Sequence, residues 1–229
     1  MKKNTGDKLS VIIRTKNEER WIGYTIQSVV EFFPGCEIVI IDDNSSDETL
    51  KISKMFSEVK AIADTKSSYT KIIFDTIKNY TPGKALNRGV KISSRQNILI
   101  ISSHCVIKKI NYENIEKNLI KNVAFFGNQI PVYKGKKIKK SYIWSNFSDQ
   151  KSATNLFSKI ENRLFFHNAF SFFTKKILEK FPFDEELTGK EDRYWVKKIV
   201  GKKLTYSYDP EQVVEHHYTN NGNTWKGLG

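Results

Sequence analysis

Residues 38–49, IVIIDDNSSDET, constrain the fold more than any other stretch of the chain. Ile38, Val39, Ile40 and Ile41 are β-branched and unbroken by polar residues, the pattern of a strand buried on both faces of a parallel sheet. Asp42 and Asp43 sit at its carboxyl end, before an Asn-Ser-Ser-Asp turn that opens a helix. Ligands of open α/β sheets bind in the crevice outside the carboxyl ends of the strands. Asp47 is the better cap for the helix that follows. One of the earlier carboxylates is therefore left without a structural duty, and Asp43 is assigned to binding.

Residues 9–14, LSVIIR, read as a second buried strand that ends in TKNEER. Ile22, Ile26, Val29, Val30 and Phe33 recur at helical spacing, so a helix runs from near Glu18 to just before Pro34-Gly35. Strand, helix and strand make a βαβ unit. It carries neither GxGxxG nor GxxxxGK[ST], so any nucleotide is handled by carboxylates and not by a glycine cradle. A helix over 47–56 turns Ile52, Met55 and Phe56 inward, and VKAIA (59–63) reads as a third strand ending in Asp64. Residues 65–81 read as loop, with a turn or two of helix at Ile72, Ile73 and Phe74.

Pro82 opens a helix that packs Ala85, Leu86, Gly89, Val90 and Ile92 and leaves Lys84, Asn87 and Arg88 to solvent or ligand. NILII (97–101) is a further buried strand, and Ser102, Ser103 and His104 form its tip. A helix over 111–121 and a strand over 123–131 follow. KGKKIKK (134–140) cannot enter a core and reads as a mobile basic loop. Beyond Asp149 the βα alternation becomes irregular. Phe165, Phe166, Phe170, Phe172 and Phe173 read as core around His167-Asn168. Glu191 and Asp192 open a helix with Trp195, Val196 and Ile199 inward, and short strands over 204–208 and 212–215 deliver His216 and His217.

Thirty-eight Lys and Arg against 25 Asp and Glu give a net charge of +13, which favours polyanionic partners: nucleic acid, an anionic membrane surface or phosphorylated small molecules. Nucleic acid is disfavoured, because the aromatics lie in apolar runs instead of alternating with Lys and Arg on a sheet face. Cys36 and Cys105 are too few for a disulfide framework and point to a reducing, cytoplasmic setting. MKKNTGDK leads into a short strand and not into a longer apolar segment, and no apolar run approaches the roughly 20 residues that span a bilayer. The final TNNGNTWKGLG resembles a helix start, so a further amphipathic segment is expected beyond Gly229, as a membrane or dimer contact.

LSVIIRTKNEERWIGYTIQSV, EIVIIDDNSSDET, PGKALNRGV, NILIISSHCV, FDEELTGKEDRYW and VVEHHYT together resemble, in this order, the signature of a GT-A glycosyltransferase of the family 2 type. The resemblance runs from Leu9 to Thr219. It implies one doubly wound α/β domain over residues 1–229 with a mostly parallel central sheet, residues 9–133 holding the nucleotide-sugar and 134–229 the acceptor. It also implies transfer of a sugar from a nucleotide-diphosphate sugar, UDP-linked in the usual case, with inversion. Thr15, Asn17 and Glu18 or Glu19 would edge the nucleotide site, with Asp42, Lys84, Asn87 and Ser103 nearby. Asp43 would hold the base or ribose, and Asp192, beside Glu191, would be the catalytic base.

One departure from the family pattern bears on the cofactor. Where members carry a DxD motif whose last Asp binds a divalent ion, this chain has Ser102-Ser103-His104. His104 would be the metal ligand, with His217 or His216 as a distant second, as in GT-A transferases with an Asp-x-His motif. Imidazole suits Mn²⁺ or Zn²⁺ better than Mg²⁺. The alternative leaves charge neutralisation to Lys84 or the 134–140 lysines. Displacing a nucleotide diphosphate from C1 needs a cation near the phosphates and a carboxylate on the opposite face to take the acceptor proton. Net charge and resemblance together point to a glycan or lipid-diphosphate-linked acceptor at an anionic inner leaflet, in surface-polysaccharide assembly. A catalytically silent nucleotide-binding homologue and a basic nucleic-acid-binding module are the competing expectations.

Overall fold

The computed structural model describes residues 5–58, 70–138, 147, 151–159 and 161–220. Strand β1 (Leu9–Thr15), helix α1 (Ile22–Phe32) and strand β2 (Glu37–Asp42) form the expected βαβ unit. Next come α2 (Thr49–Glu58), β3 (Lys71–Thr76), α3 (Pro82–Ile92), β4 (Asn97–Ser102), β5 (Cys105–Lys109), α4 (Tyr112–Lys121) and β6 (Ala124–Tyr133). The short β7 (Lys136–Lys137), β8 (Ala153–Thr154), β9 (Phe157–Ser158) and β10 (Arg163–Leu164) lead to β11 (Phe170–Thr174), α5 (Lys175–Lys180), α6 (Glu191–Gly201) and β12 (Tyr206–His217).

One sheet runs in the order β3-β2-β1-β4-β11-β6-β12-β5. The first four strands are parallel; beyond β4 the sheet is mixed, because β11 enters antiparallel to both β4 and β6. β6 and β12 are parallel to each other. Consequently β1, β2, β4, β6 and β12 all point their carboxyl ends at one rim, and β11 begins there.

Alternation along the buried strands splits the core into two layers. Val11, Ile13, Ile38 and Ile40 face α1, with Phe170 and Phe172 on the same side. Ile12, Val39 and Ile41 face α3, α5 and α6, together with Phe126, Phe165, Phe166, Phe173 and Trp195. The five phenylalanines expected in the core are all buried. Phe126 lies within ring contact of Phe147, Phe165, Phe166, Tyr206 and Tyr208. Phe126→Ala should therefore cost roughly 3–5 kcal/mol, read as a lowered denaturation midpoint.

Several sequence expectations are corrected. Ile72, Ile73 and Phe74 belong to β3, which pairs with β2 at the sheet edge, and not to helical turns. Only half buried there, they lack the fully apolar run that marks the central strands. Residues 134–138 form no mobile loop: Lys134, in the left-handed region, and Gly135 turn β6 back onto β7, and Lys137 pairs with Glu215 at 3.5 Å. The two short strands expected over 204–215 are one strand, β12, with an irregularity between Asp209 and Val213. The strand expected at 59–63, Asp64, Lys139, Lys140 and the helix start after Thr219 lie outside the described residues, apart from Asn220.

α3 starts where Thr81 accepts the Lys84 N–H and Pro82 takes the first turn. A Cβ at Gly83 would land on the Asp184 carbonyl oxygen, so glycine is what lets α3 approach the lead-in to α6. Asn87 fastens that approach with hydrogen bonds to both the N–H and the carbonyl of Phe183. Lys190, at φ 65°, then bends the chain into α6 and sets Glu191 and Asp192 at the rim.

Candidate active site

The segment Arg14–Glu18 that leaves β1 reaches every other part of the rim. Arg14 donates to Glu191 at 3.0 Å, and Lys16 to Asp43 at 2.8 Å. Asn17 binds Ser45 and Ser46 through its N–H and side-chain oxygen. Glu18 contacts His104 Nδ1 at 3.1 Å. Asp43, His104 and Asp192, drawn from three separate parts of the chain, are thereby gathered on one edge. Sequence reasoning missed Arg14 and Lys16, although a cation closing a buried strand was a usable signal.

At the β2 end the two carboxylates divide their work. Asp42 is fully buried and accepts the Ser45 N–H and hydroxyl, a structural turn. Asp43 keeps partial exposure and pairs with the exposed Lys16, whose ammonium its carboxylate holds above the ordinary lysine range. Thr15 is buried beside them, and its hydroxyl has no hydrogen-bond partner among the described residues. Such an orphan is uncommon in a folded interior and marks a place where a ligand can bond. Glu19 and Asn17 are committed to the loop: Glu19 accepts the Glu48 N–H, and Asp47 accepts the Glu19 N–H.

The β4 and β12 ends form the histidine cluster. His104 Nε2 lies 3.0 Å from His216 Nε2, and His216 Nδ1 lies 2.9 Å from Gln129 Oε1. Glu18 Oε1 also accepts the Thr219 hydroxyl. Burial, followed by the neighbouring His104, pushes His216 well below the usual imidazole range, so the ring is neutral. His217 is not part of this contact. Its ring stacks on Trp21 at 3.8 Å, and burial lowers it to about 4. Ser103 offers its carbonyl to Thr25. Among the described residues no group of three or more His, Cys, Asp or Glu side chains is arranged to hold an ion.

The α6 start supplies the third part. Glu191 is buried and taken by Arg14, so it serves as the anchor of the pair. Asp192 accepts the N–H groups of Arg193 and Asn168 and is only partly covered. Burial, then the Glu191 charge, raises its carboxyl to about 6. A half-buried carboxylate with its proton affinity raised toward neutrality is suited to general base work. Asn168 itself is buried, and its side-chain nitrogen has no hydrogen-bond partner among the described residues. On α3, Asn87 is spent on the 183–185 segment, and Lys84 stands in no ion pair among the described residues.

The glycosyl transferase family 2 profile matches residues 10–181. No curated protein matches the sequence. Among solved structures, S. aureus TarS residues 1–349 in complex with UDP-GlcNAc superposes with a TM-score of 0.67 at 20% identity, covering 95% of this chain and 60% of that one. A mannosyltransferase from Pyrobaculum calidifontis, PcManGT, in complex with GDP-Man and Mn²⁺ gives 0.66 at 16% identity, covering 94% and 58%. The chain thus spans about 60% of the length of these neighbours, which share its fold. From the span of that profile over strands β1 to β11, the chain belongs to glycosyl transferase family 2 and has the GT-A fold.

Proposed function

We propose that this chain is an inverting glycosyltransferase that moves a sugar from a nucleotide-diphosphate sugar, UDP-linked in the first instance, to a hydroxyl of a glycan or lipid-diphosphate-linked acceptor. The observation that carries the reading is the convergence of Asp43, His104 and Asp192 around the Arg14–Glu18 segment. Asp43 and Thr15 receive the nucleoside. An ion pair as exposed as Lys16–Asp43 holds little net energy, so a ribose hydroxyl or base N–H can replace Lys16. Asp192 takes the acceptor proton as the acceptor oxygen forms its bond to C1, and the nucleotide diphosphate departs with the electron pair of the bond that breaks. Residues 9–133 act as the donor half and 134–229 as the acceptor half of one domain.

The residues present fit a divalent ion in part. His104 and His216 present converging Nε2 atoms, and imidazole nitrogens suit Mn²⁺ better than Mg²⁺. These two side chains would hold the ion. When bound, the ion would neutralise charge that develops on the leaving diphosphate. The neighbour that binds GDP-Man and Mn²⁺ supports this assignment.

The exposed Lys134, Lys136 and Lys137 support an anionic membrane surface as partner, and resemblance and net charge together support a role in surface-polysaccharide assembly. The function is tested by nucleotide release from UDP-, GDP-, dTDP- and CMP-sugars with Mn²⁺ and a glycan acceptor. Turnover of one nucleotide-sugar class supports the reading. Binding without turnover of any makes the chain a silent homologue.

A further inference from the structure

The hydrogen bonds around the histidine cluster fix where each proton sits, starting from one donor whose identity is not in question. The backbone N–H of Ala169 donates to His167 Nδ1 at 3.4 Å, so that nitrogen carries a lone pair. Gln129 also contacts His167 Nδ1, at 3.1 Å, and must therefore offer its NH₂ group there. Burial pushes His167 down to about 3, and a neutral ring with an accepting Nδ1 agrees with this orientation. With its NH₂ committed, Gln129 turns its carbonyl oxygen to His216 Nδ1, which must be the protonated nitrogen of that ring. From the other side, Glu18 can only accept, so His104 also carries its proton on Nδ1. His216 Nε2 then carries a lone pair and faces His104 Nε2 across 3.0 Å, so a cation sits between the two nitrogens, either a proton that His104 Nε2 donates or a metal ion that both bind.

We propose that Gln129 is the positioning residue of this imidazole pair: oriented by His167, its amide holds His216 in the tautomer that turns both Nε2 lone pairs onto one shared cation. This rests on the reading of the rim as a cation-assisted donor site and deepens it by naming the side chain that sets the ligand geometry. Gln129 comes from the middle of β6, is fully buried, and touches His216 and His167 on opposite sides of its amide. Polar groups behind metal-bound histidines fix the tautomer and orientation of the ring. Without the Gln129 carbonyl, His216 can move its proton to Nε2 and donate it to His104, which closes the pair on itself.

The test compares the full-length wild type with Gln129→Met, which keeps the volume and loses the acceptor, and Gln129→Glu, which keeps the acceptor toward His216. Two readouts are taken without nucleotide: Mn²⁺ affinity by electron paramagnetic resonance titration, and histidine tautomers by long-range ¹H–¹⁵N correlation in the metal-free protein. Gln129→Met should weaken Mn²⁺ binding by about 10–100-fold and move the His216 proton to Nε2, while Gln129→Glu retains wild-type affinity. Unchanged affinity in Gln129→Met together with a His216 ring still protonated on Nδ1 would overturn the proposal. So would a wild-type His216 already protonated on Nε2 alone. If the wild type shows both Nδ1–H rings but takes up no Mn²⁺, the shared cation is a proton: the metal reading fails and the positioning role stands. If Gln129→Met does not fold, the wild-type tautomers and the Gln129→Glu affinity decide the matter.

Discussion

Asp192→Asn should abolish sugar transfer, by roughly 10²–10⁴-fold in kcat, and leave UDP affinity unchanged within about twofold. Asn keeps the size of the side chain, but its single oxygen accepts only one of the two N–H groups that bond separate Asp192 oxygens, Arg193 at Oδ1 and Asn168 at Oδ2, so the proton acceptor is lost together with one hydrogen bond. Loss of UDP binding in this variant would move Asp192 from chemistry to structure. The wild type should show an acid limb in kcat/KM at the raised carboxyl value of about 6, falling about tenfold per unit below it. Stability carries the same signature with a fixed sign. Because the folded value lies above the ordinary carboxylate value, ionising Asp192 destabilises the fold as pH rises from about 4 through about 6. Relative to wild type, Asp192→Asn should therefore gain stability as pH rises through that window, with no further gain above it. A melting difference independent of pH would contradict the assignment.

His104→Ala carries the second large effect. It removes one of the two converging nitrogens and should raise the Mn²⁺ concentration for half-maximal rate beyond the roughly 10–100-fold lost with an outer partner. His216→Ala should match it, and the double variant should add little, since two ligands of one ion act as a unit. His217→Ala is expected to leave the Mn²⁺ dependence in place, because that ring stacks on Trp21 and takes no part in the Nε2 contact. Rates insensitive to metal in both wild type and His104→Ala would return charge neutralisation to lysines such as Lys84.

The central strands were legible because burial on both faces leaves no room for polar residues: residues 9–14, 38–41 and 97–101 announce themselves as β-branched runs. β3 was not, since an edge strand is half wet and its Lys71 and Asp75 break the apolar pattern. Asp192 and His104 could be found from their position after a turn or at a strand tip. The division of labour between neighbours could be found only in part. The sequence assigns Asp43 to binding while still placing Asp42 near the nucleotide, and the Ser45 hydrogen bonds identify Asp42 as the structural carboxylate. Likewise Glu191 is withdrawn by Arg14, a partner 177 positions away. Gln129 carried a weak signal, a buried amide within AFFGNQIPVY, but its meaning depends on two histidines contributed by other strands and loops.

The most direct measurement is the crystal structure of the full chain with UDP and Mn²⁺. The account predicts one continuous density along the rim, with the nucleoside against Asp43 and Thr15, Lys16 displaced, and the diphosphate over His104 and His216 with Asp192 facing it across an open gap. Nucleotide bound instead in the groove between α1 and α2, or on a surface that leaves Asp43, His104 and Asp192 untouched, would contradict it.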